Sequence, residues 1–92
     1  MRVSVTAFGH LCEYFGPGAR DLALAEGSTL QDLFLLWEQE WHGRMPASLW
    51  NRDEHRFRGP VVIRVGKRVV RDRSTALADG DDVRFYQALV GG

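Results

Sequence analysis

Ser28-Thr29-Leu30-Gln31-Asp32-Leu33-Phe34-Leu35-Leu36-Trp37-Glu38-Gln39-Glu40-Trp41 is the segment whose pattern decides the architecture. Ser28 followed three residues later by Gln31 has the S-x-x-Q form of a capping box, in which each side chain satisfies a backbone N–H that the first helical turn leaves open. Leu30, Leu33, Phe34, Trp37 and Trp41 then recur at the spacing of one helical face. Gln31, Asp32, Glu38 and Gln39 fall mostly on the other side, while Leu35 and Leu36 widen the apolar stripe. The spacing predicts a helix over 29–41 with one face to bury, and a sheet is the surface that buries it.

The flanking sequence supplies that sheet. Residues 2–8 alternate, with Val3, Val5 and Ala7 on one face and Arg2, Ser4 and Thr6 on the other, the period of a half-buried strand. Alternation is lost from Phe8 to Phe15, where a turn or short helical segment is expected, and Gly16-Pro17-Gly18 breaks the chain. Residues 20–25 form a second short strand, close enough to the first to pair as an antiparallel hairpin. Val61-Val62-Ile63-Arg64-Val65 and Arg68-Val69-Val70 flank Gly66-Lys67, which reads as a hairpin with a type II′ turn. Turns are expected at Ser74–Leu77 and Asp79-Gly80-Asp81, and a last strand begins at Val83-Arg84-Phe85-Tyr86. Residues 42–60 lack periodicity and read as a long loop, with a helical turn near Ala47–Trp50. Loops beyond about 12–15 residues in a small domain are usually functional or mobile.

The expected order is β-β-α-β-β followed by a final strand, an α+β fold with a mixed sheet and one main helix on one face. At 92 residues the chain suits a single domain, 1–92. It is 45% hydrophobic and 26% charged, the composition of a folded globule rather than a disordered tail. Twelve basic and twelve acidic residues cancel, which argues against a nucleic-acid or membrane role driven by bulk charge. The single cysteine, Cys12, excludes an internal disulfide and suits a reducing compartment. Met1-Arg2 runs straight into a strand rather than a signal-peptide apolar stretch, and no segment approaches the roughly 20 apolar residues that span a bilayer. A soluble cytoplasmic protein is the expectation.

The last residues are hard to explain by folding. Gly91-Gly92 buries no side chain and has the most backbone entropy to lose, so a flexible tail over about 88–92 is expected. Chemistry offers a reason: without Cβ atoms, two glycines can thread a narrow channel and present a bare carboxylate. Such a carboxylate can be activated by ATP on an enzyme to an acyl adenylate, and a persulfide can convert that to a thiocarboxylate. The bland alternative is chance, since glycine accounts for 10 of 92 residues. The apolar approach Phe85-Tyr86-Gln87-Ala88-Leu89-Val90 strengthens the chemical reading.

The chain resembles the β-grasp, ubiquitin-like sulfur-carrier family that includes the small subunit of molybdopterin synthase and the thiamine sulfur carrier. The matching stretches are Ala25–Leu33, Val61–Lys67, Leu77–Val83 and the terminal Gly91-Gly92, in that order. Nearly the whole chain takes part, apart from about residues 43–59. The resemblance implies that Gly92 carries the adenylate and then the thiocarboxylate, with Gly91 as its partner in the tail. It implies an E1-like adenylyltransferase that uses ATP, and a sulfur donor such as a cysteine desulfurase or rhodanese-like protein. The carrier itself holds no cofactor or metal and is a protein cosubstrate, with catalytic residues on its partners. The start, Val3–Phe8 before Leu11 and Tyr14-Phe15, is similar to the molybdopterin branch. There the tail enters a large catalytic subunit and sulfur is delivered to a pterin precursor. Carriers for thiamine, cysteine, tRNA thiolation or siderophore pathways share the same glycine pair. A protein modifier joined through Gly92 and a noncatalytic interaction module are the alternatives from other classes.

His10-x-Cys12 would share a strand face, but two ligands are too few for a metal site. Cys12 has no assignable base, so a packed thiol is expected. Arg44, Arg52, Arg56 and Arg58 with Trp50 and Phe57 have the make-up of a basic-aromatic surface. Asp53 and Glu54 dilute the charge, so a solvated or partner-docking loop is the expectation rather than a nucleic-acid site. Phe85, Leu89 and Val90 read either as continued strand packing or as an apolar strip that docks partners.

Overall fold

A computed structural model describes residues 1–15, 18–41, 45, 47–58 and 61–87. Strand β1 (Arg2–Phe8) is followed by a 3-10 turn (Gly9–Leu11) and a short helix α1 (Cys12–Phe15). Strand β2 (Arg20–Ala23), helix α2 (Leu30–Trp41), β3 (Trp50–Asn51), β4 (Arg56–Phe57), β5 (Val61–Val65), β6 (Arg68–Val70) and β7 (Asp82–Gln87) complete the order. Five strands form one mixed sheet in the order β2-β1-β7-β5-β6, and β3-β4 form a separate two-stranded ribbon. β7 lies between β1, to which it is parallel, and β5, to which it is antiparallel.

The strand periodicity read from the sequence holds. Val3, Val5 and Ala7 are buried while Arg2 and Phe8 are exposed. The β5–β6 turn also follows its sequence: Gly66 has φ +62 and Lys67 does not have positive φ, which is the backbone of a type II′ turn rather than type I′. Leu30, Leu33, Phe34 and Trp37 of α2 are all at most 1% exposed and face Val5, Val83 and Phe85 of the sheet within one core cluster. Each fully buried side chain of this size contributes about 1.5–3 kcal/mol of transfer free energy, so this stripe anchors the helix. Among the described residues, no helix is long and apolar enough to cross a membrane.

The helix start differs from expectation by one residue. Thr29, not Ser28, is the cap: its hydroxyl accepts from Asp32 N (3.3 Å), while Asp32 Oδ2 accepts from Thr29 N (2.8 Å). This is a capping box with Asp in the reaching position. Ser28 is buried, and its carbonyl accepts from Leu77 N at 2.9 Å, which ties the chain there to the strand-like segment after β6. Two further open N–H groups, of Leu30 and Gln31, donate to the carbonyls of Thr75 and Arg73 (3.0 and 2.9 Å). Ser28 N, which Gln31 would satisfy in the expected cap, donates instead to Ala25 O at 3.1 Å, and the Gln31 side chain donates to the His55 carbonyl (3.1 Å) and accepts from Arg73 (2.8 Å).

The largest departure lies in residues 42–60. The long loop holds a folded ribbon, β3–β4, closed by Arg58 N donating to Leu49 O at 2.7 Å. Its Asn51 side chain accepts from Asp53 N and Glu54 N (3.0 and 3.1 Å), an Asx turn that lets the chain reverse without periodicity. Met45 and Trp50 are buried, so the segment adds to the core instead of floating above it. Trp50 and the half-buried Phe57 pack edge-on against Phe34, which leaves no exposed aromatic pair beside the arginines. His10 and Cys12 lie in the 3-10 turn and at the start of α1, not on a strand.

Candidate functional site

Because β7 is the central strand, both its edges are hydrogen-bonded up to its end. Phe8 pairs with Tyr86 on one side, and Val61 pairs with Gln87 on the other. The root of residues 88–92 is thus set by two neighbouring strands. Alternation sends Phe85 and Tyr86 to opposite faces. Phe85 is fully buried among Trp37, Phe57 and Phe34, at ring-centroid distances of 5.0, 5.6 and 5.9 Å. Its expected place in an apolar docking strip is therefore corrected: its side chain belongs to the core. Leu89, Val90, Gly91 and Gly92 lie outside the described residues.

The face opposite the helix carries what the sequence reading missed. Phe8, Tyr86 and Val62 occupy matching register positions on β1, β7 and β5, one row across three strands. Phe8 and Tyr86 stack with centroids 4.7 Å apart and planes 5° from parallel. Phe8 is 38% exposed and Val62 37%, and Val69 on β6 reaches 56%. Large apolar groups left open side by side on adjacent strands make this row a candidate interaction surface. Phe8 and Tyr86 have the outward parity of their strands, so each was identifiable as solvent-facing. What sequence could not supply was the register that makes them neighbours.

Beside this row lies a polar one, Thr6, Arg84 and Arg64, again in register. The Tyr86 phenol and then the Asp82 carboxylate, 2.9 Å from Arg84 Nε, raise the pKa of that guanidinium above its ordinary value. Arg84 thus has its own carboxylate partner, and the exposed apolar row is edged by a polar row of mixed charge. Among the described residues no group of three His, Cys, Asp or Glu side chains is placed to hold a metal ion. The described part of this face is an open apolar row beside a polar one, and no nucleophile, base or oxyanion site is assembled on it among the described residues.

Solved structures of the same architecture exist. SAMP1 from Haloferax volcanii superposes with a TM-score of 0.79 over 100% of both chains at 16% identity. A second structure, H. volcanii small archaeal modifier protein 1, gives 0.78 over 96% of this chain and 98% of that one at 14% identity. The putative molybdopterin converting factor, subunit 1, from Pyrococcus furiosus gives 0.69 over 96% and 98% at 22% identity. The fold is the ubiquitin-like β-grasp. Neither protein-family models nor curated proteins match the sequence, so it is the backbone arrangement that carries this likeness.

Proposed function

We propose that the chain is a sulfur carrier whose reactive group is the carboxylate of Gly92. The supporting observation is the pairing of an exposed apolar row, Phe8–Tyr86–Val62, with the end of the central strand that leads into Leu89-Val90-Gly91-Gly92. A partner seated on that row is held beside the root of the tail, which orients the last residues toward a site on the partner. The likeness to a molybdopterin converting factor subunit favours the small-subunit role in molybdopterin synthase, with a large subunit as the sulfur-accepting partner.

In this reading an E1-like enzyme supplies ATP, and a Gly92 carboxylate oxygen attacks its α-phosphorus with loss of pyrophosphate. The persulfide sulfur of a cysteine desulfurase or rhodanese-like donor then attacks the acyl carbon and AMP leaves. A thiol cleaves the resulting acyl disulfide, which leaves the thiocarboxylate on Gly92 and a disulfide on the donor. The chain contributes binding and an unbranched tail, and the catalytic groups sit on its partners. Intact-mass measurement after incubation with ATP, such an enzyme and a sulfur donor tests this. The expected result is replacement of one oxygen by sulfur in the full chain and none when Gly92 is deleted or one residue is appended after it. Conversion of the deleted form would overturn the assignment.

A second reading, conjugation to protein lysines through Gly92, is favoured by the likeness to proteins named as small archaeal modifiers. Lysines of co-purified proteins that carry an isopeptide-linked Phe85–Gly92 remnant after tryptic cleavage at Arg84, seen by peptide mass spectrometry, distinguish it from the carrier role.

A further inference from the structure

On the helix side of the sheet, away from the Phe8–Tyr86 row, a cleft of about 210 Å³ opens between α2, β4 and the β5–β6 hairpin. Phe34, Phe57, Val61, Ile63 and Val70 form its apolar walls. Arg56, Arg71 and Arg73 stand around it. Pockets that enclose small organic ligands generally run to about 300–1,000 Å³. This one is smaller, the size for a single large side chain of the kind that anchors a protein interface.

The three cations around the cleft are held differently. Arg73 Nη1 donates to Gln31 Oε1 (2.8 Å) and to the carbonyl of Glu54 (2.6 Å), both neutral acceptors. The guanidinium is thereby held in one position with its full charge. Arg71 is exposed and has no hydrogen bond or ion pair among the described residues. The carboxylate between them, Asp72, is committed to the N–H and hydroxyl of Ser74 at 2.9 and 2.7 Å. Asp72 still lies within electrostatic reach of Arg73, and Arg56 has Glu54 at 3.7 Å with both side chains about half exposed, which leaves Arg71 as the cation with no acidic partner among the described residues. An immobilised charge beside an apolar hole loses little entropy when a carboxylate binds, so it favours an anionic complement.

We propose that this cleft docks an acidic segment of a partner protein. One large apolar side chain enters between the walls of Phe57, Ile63 and Val70, and flanking carboxylates meet Arg71 and Arg73. A nucleic acid is the poorer complement, because Phe34 is buried and the half-buried Phe57 is then the one partly accessible aromatic ring lining the cleft, short of the series of rings on which successive bases stack. The inference stands apart from the sulfur-carrier reading. Val61, Ile63 and Val70 point to the opposite face from Val62, Tyr86 and Val69, so a partner on each face can be bound at once.

An amide NMR titration of the full chain tests it with three peptides: one phenylalanine flanked on each side by two aspartates, the same peptide with lysines for the aspartates, and the acidic peptide with alanine for the phenylalanine. The acidic phenylalanine peptide is expected to shift the amides of Phe57, Val61, Ile63 and Val70, and the other two to bind at least about tenfold more weakly. Arg71→Glu, at an exposed residue, is expected to weaken binding by about tenfold and Arg71→Lys to retain it, with the remaining amide spectrum unchanged in both. Equal binding of the lysine peptide, or no effect of Arg71→Glu, would overturn the proposal. So would a short single-stranded oligonucleotide shifting the same amides more strongly. The same shifts produced by deletion of residues 88–92 without any peptide would also overturn it, since the occupant would then be the chain's own C-terminal segment.

Discussion

Tyr86 lies flat on Phe8, with ring centroids 4.7 Å apart and planes 5° from parallel, although the two are 78 residues apart in sequence. The stack exists because β1 and β7 run parallel with these residues in register, and it is the hard centre of the only row of large apolar groups crossing three strands on the open face among the described residues. Its contribution to the fold is expected to be modest and, on the proposed function, its contribution to partner binding larger. In a double-mutant cycle with Phe8→Ala and Tyr86→Ala, urea denaturation should give a coupling of about 0.5–1.5 kcal/mol. Phe8→Asp should leave the fold intact and weaken binding of the activating enzyme by at least about tenfold in calorimetry, since a charge is forced into a desolvated contact.

Phe85, one residue earlier, should behave in the opposite way. Its ring is fully buried against Trp37, Phe57 and Phe34. Phe85→Ala is expected to lower unfolding free energy by about 3–5 kcal/mol, read from the denaturant midpoint at unchanged slope. If stability is unaffected and only partner affinity falls, the assignment of this ring to the core is wrong.

Glu38 fastens the β3–β4 ribbon to the helix. Its Oε2 accepts from Trp50 Nε1 at 2.9 Å and lies 2.9 Å from His55 Nδ1. Glu38→Ala leaves the indole N–H of a buried tryptophan without that acceptor, a loss of about 1–3 kcal/mol. Hydrogen exchange should show the amides of the ribbon opening more readily than those of β1 and β7 in this variant.

The capping assignment separates two adjacent hydroxyls. Thr29→Ala should cost about 0.5–2 kcal/mol because Asp32 N loses its acceptor. No hydrogen bond of the Ser28 hydroxyl enters the cap, so Ser28→Ala should cost less than Thr29→Ala in the same thermal melt.

Asp72 gives the acid side of the stability profile. The Ser74 backbone N–H, then the Ser74 hydroxyl, hold its carboxyl below the ordinary value of 3.8. The unfolded chain therefore binds this proton more readily than the folded one as pH falls. Its contribution is present above 3.8 and is lost as pH drops from there through the folded value. The stability difference between the parent and Asp72→Asn should accordingly narrow on acidification through that window, as followed by circular dichroism.

Local pattern was legible wherever one face of an element is buried. Val3, Val5 and Ala7 announced β1, and Leu30, Leu33, Phe34 and Trp37 announced α2, because burial on one side imposes a period that sequence displays. The ribbon at 50–57 was not legible, since its two strands are two residues each and it is held by Trp50–Glu38, Arg73–Glu54 and Asn51 rather than by a repeating stripe. The cap was missed by one residue because Ser28 and Thr29 both satisfy the local rule. The choice was made by Leu77 and Thr75, more than forty residues away, which take the backbone groups on either side.

By itself the sequence determined an α+β chain with a single amphipathic helix, two hairpins and a final apolar strand leading to Gly91-Gly92. These are matters of period, turn chemistry and composition, and each depends only on neighbours along the chain. The tertiary structure alone decided that β7 sits at the centre of the sheet. It brought the outward-facing Tyr86 against Phe8, and it set Arg71 and Arg73 around one apolar cleft. Those relationships depend on register and crossover between strands far apart in sequence. The hydrogen bonds that fix them form between backbone groups, which are the same at every residue and so leave no mark in the order of side chains.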